Sequence, residues 1–310
     1  MQKQTILGIG EILCDIFPDH HCPGGSPMNF CFHINQLGHD GIICSAVGED
    51  EIGQELLDFF STHGLSTEGI QIHPKYPTGQ SIIDVSVPDD PKFEVLKDVA
   101  WDYLKLTKTL QKLMNQASAI YYDTLGQRNA TSRAVIHQVL DEAPQKCLRV
   151  FDVNFKQRFY TRESVEFSLM KANIVKMSLT EAHGVAEMLG YSAYTTLEDL
   201  AKWLISAYDI RQVCVTRGGD GCFLLERTPG GMHYVKADMP GMKIDLLDTV
   251  GCGDGFTAAL IFARLQEWEL AKQGEFANWI GSVIASSKGG SAPHPEKVKK
   301  LVRKMAEEGR

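Results

Sequence analysis

Apolar and polar positions along the chain alternate between short strand-like runs and longer helical patterns. From residue 107 onward each predicted helix is followed by an apolar strand, for example 107–116 by 119–122 and 132–142 by 148–153. Strands and helices that alternate at this spacing predict a parallel sheet with helices on both faces. We therefore predict an α/β protein whose central sheet is mainly parallel.

Residues 70–100 break this alternation. The stretch 80–87 alternates apolar and polar side chains, a sharp turn follows at 88–91, and 93–99 is again extended. This pattern predicts a small β element beside the α/β body. Trp101 comes directly after it, either as a core residue or as the wall of a pocket.

Polar residues follow several of the predicted strands. Ligands of open α/β sheets bind outside the carboxyl ends of the strands, so polar side chains there are candidates for one shared site. Each of them alone is also typical of a helix cap or a turn. These candidates are Asp152, Asn154, Ser178, Glu181, Thr216, Arg217 and Gly218.

A glycine-rich turn near the C-terminal end of the chain carries the strongest chemical signal. Gly251, Gly253 and Gly255 alternate through it, and an apolar helical pattern follows. The free N–H groups and the dipole at such a helix N-terminus attract an anion. Asp254 lies in the same turn, where a carboxylate is better suited to act as a base on a group that attacks the anion. The pattern favours phosphoryl transfer, although in isolation it fits a tight, acid-capped connection equally well.

A second glycine-rich stretch, residues 24–29 with the sequence GGSPMN, precedes a predicted helix that ends at Gly38. The two glycines let the backbone approach a ligand closely, and a proline suits the first helical turn. Asn29 in that turn is a cap, a solvated residue or a ligand contact. Asp15, which follows another apolar run, is either a turn former or a ligand contact.

Composition and charge exclude several other classes of protein. The chain has 310 residues, a net charge of −8 and no basic block, so nucleic acid is not an expected partner. No apolar run reaches membrane-spanning length, and the first residues lack a signal-peptide pattern. The eight cysteines form no CxxC pair, which argues against zinc and suits reduced thiols in the cytoplasm. A dinucleotide-binding GxGxxG motif fails at Leu13, where its third glycine would fall.

Two separated motifs resemble the signatures of one family. Residues 24–29 resemble the N-terminal signature of the ribokinase-like (pfkB) carbohydrate kinases, and residues 248–254, DTVGCGD, resemble their C-terminal signature. The resemblance covers essentially the whole chain, and within the family the chain looks most like the bacterial fructokinases. Four stretches carry this last similarity: 10–19 (GEILCDIFPD), 99–102 (VAWD), 126–128 (GQR) and 151–160 (FDVNFKQRFY).

The resemblance implies a single ribokinase-like domain over residues 1–310, with three α/β/α layers and a mainly parallel central sheet. It also implies a discontinuous β lid, formed by about 12–23 and 70–105, which closes over the sugar and excludes water. Because dimers through lid strands are common in the family, a homodimer of that kind is expected here.

The resemblance assigns chemical roles near the two signatures. Asp254 would be the base on the primary hydroxyl of the sugar. An anion hole for the transferring phosphoryl group would be formed by Gly251, Cys252 and Gly253. The sugar hydroxyls would be held by Asp15, Gly24, Gly25 and Asn29.

The remaining implied roles concern ATP and metal ions. The ATP site would be lined by Ser178, Thr216, Gly218, Gly221 and Asn278. Glu181 would help to organise Mg²⁺ and its waters. A monovalent cation such as K⁺ would be held by carbonyl groups around Asp248, Lys288 and Gly290.

Three positions depart from the family pattern. Cys252 replaces the usual alanine between the glycines, which leaves the backbone N–H unchanged but adds a thiol open to oxidation. Ser178 stands where an asparagine is usual, which shortens a polar contact near the metal and the phosphates. Lys156 replaces an arginine of the fructokinase-like stretch, and the two residues are not equivalent at a bidentate site.

We therefore expect an ATP-dependent sugar kinase, with fructose as the leading substrate and O6 as the acceptor. The alternatives within the family are kinases of 2-keto-3-deoxygluconate, ribose or a nucleoside. A sugar acid would need an arginine clamp on its carboxylate, which Arg128 and Arg158 could supply. A sugar-binding regulator without catalysis is disfavoured, because Asp254 and the anion-hole glycines are intact.

Overall fold

The computed structural model describes residues 2–84, 92–231 and 233–308. A large sheet runs through the middle of this part of the chain. Its nine described strands are β1 Thr5–Ile9, β4 Asp40–Gly48, β5 Ile70–His73, β8 Ala119–Asp123, β9 Leu148–Asp152, β10 Ile174–Ser178, β11 Gln212–Thr216, β12 Cys222–Arg227 and β13 Tyr234–Met239. They lie in the order β13-β12-β11-β10-β9-β8-β1-β4-β5.

Pairing within this sheet confirms the predicted α/β architecture. In this spatial order, the strands β11, β10, β9, β8, β1, β4 and β5 run parallel to one another. Strands β12 and β13 are antiparallel additions at one edge. The predicted hairpin turn between β11 and β12 is present as a short 3₁₀ turn over Gly218–Asp220. Buried apolar side chains form one core on each side of the sheet.

A second, smaller sheet stands beside the large one. Its four described strands, in the order β3-β2-β6-β7, are β2 Leu13–Ile16, β3 His21–Gly24, β6 Gly79–Asp84 and β7 Lys92–Val95. They overlap the two segments predicted for the lid, about 12–23 and 70–105, although β3 extends to Gly24. The lower bound of 70 was wrong as a bound of this sheet, because Ile70–His73 pairs with β4 in the large sheet. Residues 85–91, with the end of the predicted strand 80–87 and the turn at 88–91, lie outside the described part.

Trp101 lies beneath the small sheet and is fully buried, so the core interpretation of this residue is confirmed. It packs with Leu13, Val95, Val99 and Leu125 in a cluster of its own. This cluster joins the small sheet to the body of the protein.

The helices cover both faces of the large sheet. They are α1 Ser26–Leu37, α2 Glu51–Thr62, α3 Lys108–Gln116, α4 Ala130–Glu142, α5 Arg162–Lys171, α6 Leu179–Leu189, α7 Leu197–Tyr208, α8 Cys252–Leu265, α9 Leu270–Ala285 and α10 Glu296–Glu308. Helix α10 was not predicted. Its Val298, Val302 and Ala306 recur every four residues and are buried, while charged residues occupy much of its outer face.

Helix α1 positions the N-terminal signature. Pro27 occupies its first turn and Gly38, in the left-handed conformation (φ 101°), ends it, as the sequence predicts. The helix is buried nearly all round because it packs between the large sheet and helix α8. The two family-like signatures therefore begin two helices that touch each other.

Two further observations concern the whole described chain. None of its helices combines the length and the apolar character needed to cross a bilayer. All eight cysteines, which fall within the described residues, are free thiols, in agreement with the expectation of reduced cysteines.

Candidate active site

The N-terminus of helix α8 carries the predicted base. Gly251 precedes the helix in the left-handed conformation (φ 74°), and a side chain there would collide with the backbone of Gly290. Glycine is the residue that tolerates both conditions. Asp254 lies in the first turn with 8% of its surface exposed. Asn29 Nδ2 donates a 2.8 Å hydrogen bond to its Oδ2, so the predicted base and a predicted sugar ligand are in direct contact.

The environment of Asp254 favours proton abstraction. Burial raises the pKa of its carboxyl above the ordinary aspartate value, whereas the Asn29 hydrogen bond and the charges of Lys176 and Lys156 act in the opposite direction. A raised pKa makes the ionised carboxylate a stronger base.

Lys176 is a site residue that the sequence analysis missed. It lies in strand β10 with its Nζ 3.1 Å from Asp152 Oδ1, and a Cβ at Gly253 would lie 3.2 Å from that Nζ. Burial by itself lowers the pKa of Lys176, but the Asp152 and Glu181 carboxylates outweigh it and raise the pKa. A fixed cation therefore lies beside the turn predicted to bind an anion. The available signal was a lysine inside the otherwise apolar run 174–177.

A cleft of about 520 Å³ opens beside the same turn, a size typical of small-molecule sites. Residues predicted for ATP and for the anion hole line it together: Thr216, Gly218, Gly221, Asn278, Cys252 and Gly253. Its apolar wall, to which Met242, Ile244 and Leu246 contribute, was not predicted, because residues 241–249 have no regular period. Apolar walls next to a helix N-terminus suit a ligand with an aromatic ring and an anionic group.

Ser178 and Glu181 form a helix cap rather than part of the cleft lining. Ser178 Oγ accepts a hydrogen bond from Glu181 N at 3.2 Å, and Glu181 Oε2 accepts one from Ser178 N at 2.7 Å. Glu181 Oε1 accepts a third from Phe155 N at 2.9 Å. The reciprocal pair is a capping box at the start of α6, and it also fixes the segment after β9.

The other predicted sugar ligands lie on the small sheet and just before helix α1. Asp15 is on β2 of the small sheet, where burial raises its pKa to about 6 against the opposing effects of a Ser81 hydrogen bond and Lys156. The negative charge of Asp254 raises this pKa further. Gly24 ends β3, and Gly25 (φ 106°) precedes α1 and packs on the backbone of Glu11.

The segment predicted to hold a monovalent cation is fastened to the same turn. Asp248 accepts hydrogen bonds from Val250 N on Oδ1 and from Gly289 N on Oδ2, both at 2.9 Å. The Gly290 carbonyl accepts one from His33 Nε2 at 2.8 Å. Within the described residues, no three or more His, Cys, Asp or Glu side chains are grouped so that they could hold a metal ion.

Arg128, considered as a clamp for a sugar acid, already has partners. Its Nε donates a hydrogen bond to Asp102 Oδ1 and its Nη2 donates one to Asp102 Oδ2, both at 2.8 Å. Its guanidinium stacks 4.0 Å from the centre of the Trp101 ring and 4.8 Å from that of Phe159. Only Nη1 is buried without a hydrogen-bond partner among the described residues. Both donors of a bidentate clamp are therefore bonded to Asp102 and are not available to a ligand.

Comparison with known protein families identifies the family of the chain. Residues 19–297 match the family model described as pfkB family carbohydrate kinase, which is most of the chain. The chain therefore belongs to the pfkB family of carbohydrate kinases.

Relatives of several substrate types match along nearly the whole chain. The uncharacterized sugar kinase PH1459 of Pyrococcus horikoshii is 26% identical over 98% of this chain and 96% of its own. Its crystal structure superposes with a TM-score of 0.84 over 99% of both chains, and a second structure contains ATP. Fructokinase-1 of Zea mays is 23% identical over 97% of this chain and 98% of its own. Aminoimidazole riboside kinase of Salmonella typhimurium is 22% identical over 94% and 92%.

Proposed function

We propose that this pfkB-family sugar kinase transfers the γ-phosphoryl group of ATP to the primary hydroxyl of a small sugar, with fructose as the substrate and O6 as the acceptor. The observation that carries the proposal is the buried Asp254 carboxylate, held 2.8 Å from Asn29 at a helix N-terminus that borders a cleft. The ATP complex of the Pyrococcus relative supports the phosphoryl donor, and the maize fructokinase supports the sugar.

In this mechanism the protein mainly positions and neutralises charge. Asp254 takes the proton of the sugar hydroxyl as that oxygen attacks the γ-phosphorus. The backbone N–H groups of Gly251, Cys252 and Gly253 stabilise the charge on the transferring group. Lys176, whose Nζ lies beside Gly253, adds a positive charge on the same side. The small sheet, with Asp15 on β2, covers the sugar and excludes water.

Metal ions complete the proposed site. Mg²⁺ supplies charge neutralisation on the ATP phosphates, and it typically binds through phosphates, water and one or two carboxylates. Glu181 is the proposed carboxylate, but both of its oxygens accept backbone hydrogen bonds, so contact through water suits it better than direct coordination. Carbonyl groups near Asp248, Lys288 and Gly290 are proposed for a monovalent cation such as K⁺.

A neutral sugar suits the pocket better than a sugar acid. Arg128 holds Asp102 with both hydrogen bonds that a carboxylate clamp would require. Of the two arginines considered for a sugar acid, this leaves Arg158, which is exposed. Kinases of 2-keto-3-deoxygluconate, ribose or a nucleoside are the alternatives, and an aminoimidazole riboside kinase is among the relatives.

We also propose a cytoplasmic protein that forms a homodimer through the small sheet. Ile82 on strand β6 is 38% exposed, which leaves an apolar side chain on that sheet for a second copy. Sedimentation of the chain and of its Ile82→Glu variant tests this, because the charge should convert a dimer to a monomer. A monomer in both cases would contradict it.

The deciding experiment is a panel of acceptors with Mg-ATP: fructose, ribose, 2-keto-3-deoxygluconate and adenosine. We expect the highest kcat/KM for fructose, with phosphate on O6 in the product. Asp254→Asn should lower kcat by about 100-fold or more while ATP still binds. Asp58→Asn, at an exposed carboxylate of α2, is the matched control and should leave kcat unchanged.

Each alternative has its own outcome in this panel. A higher kcat/KM for one of the other acceptors would replace fructose and keep the kinase. Sugar binding without product from any acceptor would favour a regulator. Near-normal turnover by Asp254→Asn would overturn the role of that residue as the base.

A further inference from the structure

Two buried carboxyl groups beside the sugar side of the site have no role in the mechanism above. Glu11, two residues after the end of β1, and Asp123, at the end of β8, are each 1% exposed. Their side chains are within hydrogen-bonding reach of each other. Two charged carboxylates in contact inside a protein are unstable, so one of them holds a proton at neutral pH.

The hydrogen bonds around the pair locate that proton. Both oxygens of Asp123 accept: Oδ1 from Gly126 N at 2.9 Å and Oδ2 from Asn154 Nδ2 at 2.7 Å. A protonated oxygen would face one of these donors, so Asp123 is the ionised member. Glu11 Oε1 accepts from Ser26 N at 3.1 Å, whereas Oε2 is buried and receives no hydrogen bond from the described residues. A proton on Glu11 Oε2, donated to Asp123, would give this buried atom its hydrogen-bond partner.

The partners of the pair connect it to the sugar loop. Ser26 is the first residue of α1, directly after Gly24 and Gly25, and three residues before Asn29. Asn154 Nδ2 donates to Asp123 and also to Ser26 Oγ at 3.0 Å. Asn154 has a positive φ of 39°, which is uncommon for a residue other than glycine and which this network holds in place.

We propose that Glu11 and Asp123 form an acid–carboxylate pair with one shared proton, and that this pair positions Ser26 and Asn154 so that α1 presents Asn29 to the sugar and to Asp254. The role in sugar binding depends on the proposed kinase function, whereas the shared proton does not. Glu11 and Asp123 are positioning residues, since they act through Ser26 and Asn154.

The proton can be tested by variants that keep or remove the donor. Glu11→Gln offers an N–H to Asp123 and a carbonyl oxygen to Ser26, so the sugar KM should stay within about twofold of the original. Glu11→Ala removes both contacts and should raise the sugar KM roughly 10-fold or more, with the KM for ATP unchanged. Asp123→Asn has only one oxygen for three donors, which are Gly126 N, Asn154 Nδ2 and Glu11, and it should resemble Glu11→Ala. Glu142→Gln, at an exposed carboxylate of α4, is the control.

The pH profile separates positioning from a general structural role. In the original protein the sugar KM should rise at alkaline pH as the shared proton is lost, and this rise should be absent in Glu11→Gln, whose amide does not ionise. Asp254 on α8 and the Tyr121 hydroxyl on β8 also face the pair, and both are unchanged in that variant. A Glu11→Gln variant as impaired as Glu11→Ala, or one that keeps the alkaline rise, would overturn the proposal.

A measurement without substrate distinguishes this proposal from the function. Burial and the Asp123 charge raise the pKa of Glu11 well above its ordinary value. The stabilisation is therefore complete at low pH and is lost as pH rises through the folded-state pKa. Urea unfolding should show this loss in the original protein and a weaker dependence in Glu11→Gln. If the free energy of unfolding depends on pH as expected in both proteins but no sugar is phosphorylated, the proposed function is wrong and the pair stands. If both proteins show the same pH dependence, the proposed pair is wrong.

Discussion

Asn29 Nδ2 donates a 2.8 Å hydrogen bond to Asp254 Oδ2, and so joins helix α1 to helix α8 across 225 positions of sequence. The Asn29 Oδ1 atom is buried and has no hydrogen-bond partner among the described residues. The Asn29 amide therefore holds the proposed base through its Nδ2 and leaves its Oδ1 available as a hydrogen-bond acceptor.

Replacement of Asn29 by alanine should lower the fraction of Asp254 that is ionised at neutral pH and remove the contact that orients its carboxylate. The hydrogen bond stabilises the charged form, so its loss should raise the pKa of Asp254 further. The acid limb of the kcat/KM profile, where activity falls as pH drops through this pKa, should then move to higher pH, and kcat should fall roughly 10-fold. Asn35→Ala, which removes another amide of α1 bonded to Cys31 O and Gly41 O, is the control. An acid limb at the same pH in Asn29→Ala would contradict this role.

Replacement of Gly251 by alanine should both destabilise the protein and reduce turnover. The position has a φ of 74°, and a Cβ would meet the backbone of Gly290. Gly289 offers a matched control, because it has a φ of 81° but open space around its Cβ position. The strained backbone alone should cost Gly289→Ala about 1 kcal/mol, and Gly251→Ala should lose clearly more. Urea unfolding and kcat measure the difference, and equal losses would show that contact with Gly290 is unimportant.

Replacement of Lys176 by methionine should separate stability from catalysis. It leaves the Asp152 carboxylate buried without its cation, which should cost about 3–5 kcal/mol in the free energy of unfolding. Lys176→Met combined with Asp152→Asn should recover most of this loss but not kcat, if the cation acts on the phosphoryl group. Lys171→Met, in a more exposed pair with Asp141, should have little effect on either quantity. Recovery of kcat by the double variant would limit Lys176 to a structural role.

The Cys252 thiol should be unreactive although it lies in the anion-hole turn. Burial raises its pKa to about 12, and its Sγ contacts the Asp248 carbonyl at 3.5 Å. Because the thiolate is the reactive form, alkylation at neutral pH should be slow, contrary to the sequence-based expectation of an oxidation-prone thiol. Cys252→Ala should keep kcat within about threefold, since the backbone N–H is retained. Mass spectrometry after brief alkylation measures the modification, and rapid labelling of Cys252 would contradict this view.

The elements that the sequence predicted well are mostly those whose ends are set by a proline or glycine at that point of the chain. Pro27 and Gly38 set the limits of α1, and Gly218 and Gly221 flag the turn between β11 and β12, because each acts on the backbone near its own position. The order of the strands was not predicted, since it depends on which helices pack on which face. For the same reason residues 70–73 were included in the predicted lid, whereas they form a strand of the large sheet.

The site was predictable where a motif carries its own chemistry. Asp254 and the glycines around it belong to one short turn, so their proximity follows from the sequence. Lys176 was missed because only the tertiary fold brings β10 next to Gly253 and Asp152. Ser178 and Glu181 were predicted as site residues, whereas the structure shows that they form a capping box, although the Ser-x-x-Glu pattern was readable in the sequence.

The burial of α1 between the sheet and α8 has a consequence for biosynthesis. Helix α8 begins roughly 215 residues after α1 ends, and at typical ribosomal rates that interval takes about 10–40 s. During this time the face of α1 that contacts α8, including Asn29 and His33, lacks its final cover on the nascent chain. Chaperones that recognise exposed apolar helices should therefore engage this protein while it is still attached to the ribosome.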